Sequence, residues 1–246
     1  MIFPMLADIY FGYDDWMVFF ICIIITAFFG GALILSNMGH QFDITTKQAF
    51  LLTNITWIVL PTFGALPFWL SSQDMSFTDS FFESMSGITT TGSTVITNLD
   101  YTPKGILLWR AMLQWLGGIG IIIMAMSVLP FLNVGGMQIF KTELSENEKA
   151  LPRTAKMASS IAIIYIALTG LCAVCYMITG MEMFNAVAHA MTTISTGGYS
   201  TFDASFSHYT TLGPEIVCIL FMILGGLPFV LYLKAVRGNL APLFED

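Results

Sequence analysis

Uncharged runs of membrane length alternate with short polar turns along this chain, and the alternation is given twice. No charge occurs from Trp16 to Leu35, which is about the length a helix needs to cross the hydrocarbon core of a bilayer. Further apolar segments follow at about 49–70, 105–129, 157–178 and 212–233. Two of the intervals between them hold a stretch too short to span. In 76–86, Ser76 is placed as an N-cap and Asp79 falls in the first turn, which predicts a short helix. A second short helix is predicted over 182–193. Each runs into a turn rich in Thr, Ser and Gly, at 87–94 and 194–201. The predicted order is span, short helix, polar turn, span, stated twice after one preceding span.

The two copies also echo each other residue by residue. Aligned without gaps, Asp79 to Thr94 sets Met85 on Met191, Ile88 on Ile194, Thr90 on Thr196 and Gly92 on Gly198. Outside the turn, Gly117-Gly118 follows Gly92 by 25 residues and Gly225-Gly226 follows Gly198 by 27. Each pair is preceded by leucine, Leu116 or Leu224. Internal duplication is the expectation. A polar turn at membrane depth must line water or an ion, because lipid leaves its backbone groups unsatisfied. The pattern therefore points to a pore, within an all-α integral membrane protein of repeated span–pore-helix–span units.

Composition narrows the alternatives. The chain is 56% hydrophobic and 10% charged, with a mean hydropathy of +0.77. Its pI near 4.8 gives no basic surface for nucleic acid. No basic residue precedes the first span, against a cleaved signal peptide. Cys172 and Cys175 have CxxC spacing but lie in an apolar run, where small buried hydrophobes are the simpler reading. Walker and dinucleotide motifs are absent, the three histidines are scattered, and the spans hold few ionisable groups. An enzyme is not expected, nor an organic cofactor.

Basic residues set the orientation. With both short helices entering from one side, Lys47, Lys141, Lys149, Arg153, Lys156, Lys234 and Arg237 fall on the other, which marks the cytoplasm. Only Lys104 and Arg110 share the pore-loop side. That outer side also collects Asp74, Asp79, Glu83, Asp100, Glu182, Asp203 and Glu215, a set able to concentrate cations. Apolar residues 1–12 are placed at or below the outer face.

A dehydrated monovalent cation needs oxygen ligands, and backbone carbonyls in a narrow ring supply them without a full charge. Thr89, Thr90, Thr91 and Gly92 in the first turn, and Ser195, Thr196, Gly197 and Gly198 in the second, suit that task. Glycine permits the backbone angles required and leaves the path clear. Hydroxyls can add ligands or brace the loop, and the C-terminal ends of the short helices favour a cation. Glu83 and His189 align, and both read as hydrogen-bonding groups behind the turns. Arg110 and Gln114 share a helix face, with Arg110 expected to pair with an outer carboxylate. Gly117, Gly118, Gly120, Gly225 and Gly226 permit close helix contact or a bend. Pro61 and Pro67 can kink the second span.

The stretches SFFESMSGITTTGST, MLQWLGGIGIIIMAMSVLP with the following GGMQIF, and HAMTTISTGGYSTFDAS resemble the Trk/Ktr/HKT superfamily of cation transporters. Within it the resemblance is strongest to the bacterial Trk-type potassium uptake subunits. It covers essentially the whole chain and implies four non-identical repeats around one pore, preceded by a pair of N-terminal helices. By this resemblance Gly92 and Gly198 are the filter glycines, and potassium is the transported ion, held mainly by backbone carbonyls of Thr90, Thr91, Gly92, Thr196, Gly197 and Gly198. It also implies a bacterial inner-membrane location, a homodimeric assembly and a cytoplasmic nucleotide-binding regulatory subunit.

The expected division is then 1–48 as the remnant of the N-terminal helix pair and a cytoplasmic link, 49–130 as the first pore repeat and 131–156 as a cytoplasmic linker. Residues 157–237 form the second pore repeat and 238–246 a tail. Only two of four repeats are found, so the chain reads as the N-terminal half of a longer transporter. The other half comes from the same longer chain or from another. A non-conducting fragment and a sodium-permeable transporter of the same fold are the alternatives. Channel-like and ion-coupled flux, including symport, stay equally open.

Overall fold

The computed structural model describes residues 1–39, 45–132 and 150–236. Nine α-helices are found among these residues: α1 Ile2–Phe11, α2 Trp16–Asn37, α3 Thr46–Leu70, α4 Phe77–Ile88 and α5 Lys104–Leu132, then α6 Ala150–Ile178, α7 Met183–Ile194, α8 Gly213–Gly226 and α9 Phe229–Val236. His40, Asp43, Gly135-Gly136, Lys141, Glu143, Glu146, Glu148, Lys149, Arg237 and the 238–246 tail lie outside the described residues. Among the described residues, four stretches are long and apolar enough to cross a membrane: Trp16–Asn37, Phe50–Leu70, Lys104–Met124 and Met157–Ile178.

Local chemistry fixes the helix ends. Thr45 opens α3 with a capping box: its hydroxyl accepts from Gln48 N while the Gln48 side chain accepts from Thr45 N. Ser76 caps α4, accepting from Asp79 N at 3.1 Å, as its spacing predicts. Helix α3 continues through Pro61 and Pro67 to Leu70. Helix α6 begins at Ala150, seven residues before the predicted span, with Pro152 in its first turn, where a missing N–H breaks no helical bond.

The last predicted span, about 212–233, is corrected by the structure. It is two helices, α8 of 14 residues and α9 of 8, separated at Leu227-Pro228. Proline has no N–H for the ladder and drives the preceding residue out of the helical region; Leu227 is extended, at φ −71° and ψ 145°. Helix α8 is about 21 Å long at 1.5 Å per residue, short of the hydrocarbon thickness. Tyr232 Oη donates to the Leu224 carbonyl at 2.6 Å, satisfying a carbonyl left at the break.

Two cores hold the molecule. Phe19, Phe68, Ile88, Ile106, Leu107, Trp109 and Leu113 pack where α2, α3, α4 and α5 meet. Tyr165, Cys172, Tyr176, Ala186, Ile194 and Phe221 do so for α6, α7 and α8. Helix α7 also packs on α5, which joins the two groups. The four cysteines are free thiols, and Cys172 is buried, as the reading of that pair as small hydrophobes expects. Large apolar residues such as Phe28, Leu33, Ile34, Ile163 and Ile219 face outward, the surface a bilayer accepts. Helix α1 is tied to the start of α5 through Asp8, whose buried carboxylate accepts from Gly105 N at 2.5 Å. A Cβ at Gly105 would overlap that carboxylate.

Candidate functional site

Helices α4 and α7 are each 12 residues long, and the chain leaves both by the same path. Thr89 N donates to Met85 O at 2.9 Å, and Ser195 N to Met191 O at 3.2 Å. Thr90 N to Gly87 O and Thr196 N to Thr193 O are both 3.0 Å. Thr91 N reaches Ser86 O at 3.0 Å, and Gly197 N reaches Thr192 O at 2.9 Å. The dihedrals agree as closely. Thr90 has φ 56° and Thr196 φ 53°, while Gly92 has φ 81° and Gly198 φ 79°. A β-branched residue in the left-handed region is a steric outlier, costing roughly 1–3 kcal/mol. The chain accepts that cost at the same place in both turns.

The first glycine of each pair on the following helices meets the end of the preceding short helix in the same way. A Cβ on Gly117 would overlap the Ile88 carbonyl, and one on Gly225 would come within 2.5 Å of the Ile194 carbonyl oxygen. Gly120 and Gly226 face open space. Gly117→Ala and Gly225→Ala are therefore expected to destabilise the protein by about 1–3 kcal/mol each. Gly120→Ala and Gly226→Ala should lower its Tm in detergent far less; equal effects at all four positions would remove this contact as the cause.

The hydroxyls of Thr89, Thr91 and Ser195 bond within the protein. Thr89 Oγ1 donates to Met85 O at 2.8 Å and lies 2.8 Å from Thr91 Oγ1; Ser195 Oγ donates to Met191 O at 2.9 Å. They brace the turns, one of the two roles expected of them.

Behind the turns, Glu83 and His189 occupy the same register and make the same kind of contact. The Glu83 carboxylate accepts from Thr94 Oγ1 at 2.9 Å and from Val95 N at 2.9 Å. His189 Nδ1 faces the Asn185 carbonyl at 2.8 Å, and Nε2 lies 3.1 Å from Ser200 Oγ. The carbonyl can only accept, so Nδ1 carries the proton and the Ser200 hydroxyl donates to Nε2. Thr94 and Ser200 stand at matching positions of the two copies.

Arg110 joins the copies. Its Nε donates to Glu83 at 2.7 Å, one terminal nitrogen to Thr94 Oγ1 at 3.0 Å and the other to the Ser200 carbonyl at 3.0 Å. The guanidinium also lies 4.2 Å from the centre of the Tyr199 ring, within cation–π range. Arg110 is 1% exposed and Glu83 0%. Glu83 thus belongs to a buried pair and not to the acidic outer face on which the sequence placed it. Tyr199 closes the network from the second copy, donating to the Glu83 carbonyl at 2.9 Å.

The two turns touch directly. A Cβ at Gly92 would overlap the Gly197 carbonyl oxygen, whereas Gly198 faces open space. Gln114, wholly buried on α5, accepts from Tyr199 N at 3.1 Å through Oε1. Its Nε2 has no partner among the described residues, a desolvation cost of about 1–3 kcal/mol. Sequence reasoning found the turns, Glu83, His189 and Arg110, and missed Tyr199, Thr94 and Ser200. Thr94 and Ser200 carried a signal, since they align as hydroxyl residues; Tyr199 aligns with Ser93 and carried none. Among the described residues no group of three or more His, Cys, Asp or Glu is placed to hold a metal ion.

Long apolar helices around two short ones, whose polar turns are held by buried hydrogen bonds, define the class of multi-pass helical membrane proteins. Residues 15–237 match the TrkH family, described as a cation transport protein, and the chain belongs to that family. It is 45% identical over 202 residues to the Trk system potassium uptake protein TrkI of Halomonas elongata, which covers 81% of this chain and 41% of that protein. It is 38% identical to TrkH of the same organism, over 99% of this chain and 52% of that one. The crystal structure of the potassium transporter TrkH from Vibrio parahaemolyticus superposes with a TM-score of 0.86 at 34% identity, over 98% of this chain and 49% of that one. The chain spans about half the length of these relatives. It is a multi-pass protein of the bacterial inner membrane, and its family is one of transporters and not of catalysts.

Proposed function

We propose that this chain supplies two of the filter strands of a potassium uptake pathway. The observation that carries this reading is the turn repeated at Thr89–Gly92 and Ser195–Gly198, with left-handed Thr and Gly at the same two positions of each. Segments 49–130 and 157–237 are then the first and second pore repeats. Backbone carbonyls of Thr90, Thr91, Gly92, Thr196, Gly197 and Gly198 are the potassium ligands. The relatives named as potassium uptake proteins are about twice as long, and a ring of carbonyls must close around the ion. The complementary half therefore comes from the same longer chain or from a second one. A cytoplasmic nucleotide-binding subunit regulates the assembled pore, and the complete transporter pairs as a dimer.

The test is growth and potassium uptake in cells stripped of their own uptake systems. These 246 residues are expressed alone and, separately, joined to the C-terminal half of Vibrio parahaemolyticus TrkH. Uptake by the joined chain alone is expected. Uptake by the short chain would show that copies of it close a pore by themselves. No uptake by the joined chain, present in the membrane with its regulatory subunit, would overturn the potassium reading.

A further inference from the structure

We infer that Gln114 is a positioning residue that sets the preference of the pathway for potassium over sodium, an inference that rests on the filter reading above. Its carboxamide lies where the two turns meet. A Cβ at Gly197 would overlap the carboxamide, approaching Oε1 to 2.5 Å and Nε2 to 2.7 Å. A Cβ at Gly92 would stand 3.6 Å from the same Nε2. The side chain is thus a spacer against both turns, reached from α5 and belonging to neither.

The orientation of the amide follows from its surroundings. Tyr199 N–H is a donor, so the group facing it at 3.1 Å must be the oxygen, which leaves the nitrogen on the Gly92 side, 3.6 Å from where a Cβ there would stand. The amide nitrogen is therefore buried beside the place where Gly92 and Gly197 come together, without a partner among the described residues. A leucine or methionine would fill a similar volume without burying an amide. The arrangement makes sense if the amide's N–H donors hold a water shared with a turn carbonyl and so keep the two turns at a fixed separation. Sodium and potassium differ in the ligand distance they demand, and a filter held at fixed spacing discriminates between them on that difference. Arg110, one helical turn earlier on the same face, anchors the outer ends of both loops through Thr94 and the Ser200 carbonyl. Gln114 does the corresponding work at the glycines.

The experiment uses the joined full-length transporter in proteoliposomes, with initial uptake of potassium and of sodium measured separately. Gln114→Leu removes the polar group at similar volume. Gln114→Glu keeps the length and the acceptor for Tyr199 N–H but loses both donors. Each is expected to lower the potassium-to-sodium uptake ratio at least about tenfold while sodium uptake persists. A wild-type ratio in either folded variant would overturn the inference and leave the filter reading untouched. Recovery of neither variant as folded protein would make Gln114 a packing residue and overturn it as well. Absence of any potassium preference in the unmodified transporter would overturn the filter reading itself.

Discussion

Gly92→Ala removes more potassium uptake from the full-length transporter than Gly198→Ala, although the two glycines hold the same place in their turns. Both sit at positive φ, 81° and 79°, so each substitution pays about 1–2 kcal/mol for a left-handed L-residue. Only at Gly92 does the new Cβ also meet backbone, the Gly197 carbonyl of the other turn, while Gly198 faces open space. Backbone cannot swing aside as a side-chain tip can, and such overpacking adds about 1–3 kcal/mol. Borne by the conducting arrangement of the turns, that added strain lowers initial uptake by up to roughly a hundredfold, at 1.4 kcal/mol per decade. It is read at matched amounts of protein in the membrane. Equal losses would mean that the turns do not touch when the transporter works.

Breaking the buried ion pair gives the second large effect. Arg110→Ala leaves the Glu83 carboxylate without its cation at 0% exposure and withdraws donors from Thr94 and the Ser200 carbonyl. The expected destabilisation is about 3–5 kcal/mol, read as a fall in Tm of the detergent-purified protein. Changing both partners, as Glu83→Gln with Arg110→Met, should cost less than the two single changes added together, because neither charge is then stranded. A strictly additive double variant would mean that Arg110 acts through its bonds to the second copy and not through Glu83. Raising the salt concentration should alter the wild-type Tm little, since the pair is shielded from solvent ions.

How far the sequence could be read differs from element to element, for identifiable reasons. The short helices were legible because a polar turn follows each at once and, for α4, because Ser76 bonds three residues on. The broken last span was not. Apolar content counts Leu227 and Pro228 as favourably as Leu60 and Pro61, yet α3 runs through its prolines and the last span does not. The difference lies just upstream: Gly225-Gly226 precedes the later break, and two glycines in succession make the weakest helix to hold a proline. At the site, Glu83 and His189 were found behind the turns because the duplication set them on each other. Arg110 was expected to pair with an outer carboxylate, but which of them was not found, since a helix-face argument reaches four residues and Glu83 lies 27 away. Nothing in the sequence told that Gln114 would stand against Gly197 of the other copy.

The clasp between Asp8 and Gly105 has a consequence for how the protein is made. Its two ends are 97 residues apart, which takes about 5–20 s to synthesise at 5–20 residues per second. Helix α1 therefore leaves the ribosome well before the amide that its carboxylate receives. The bonds from Arg110 to Ser200 impose a second wait of similar length, 90 residues. Insertion of this chain thus includes two delayed closures, in each of which a later segment completes a polar contact begun by an earlier one.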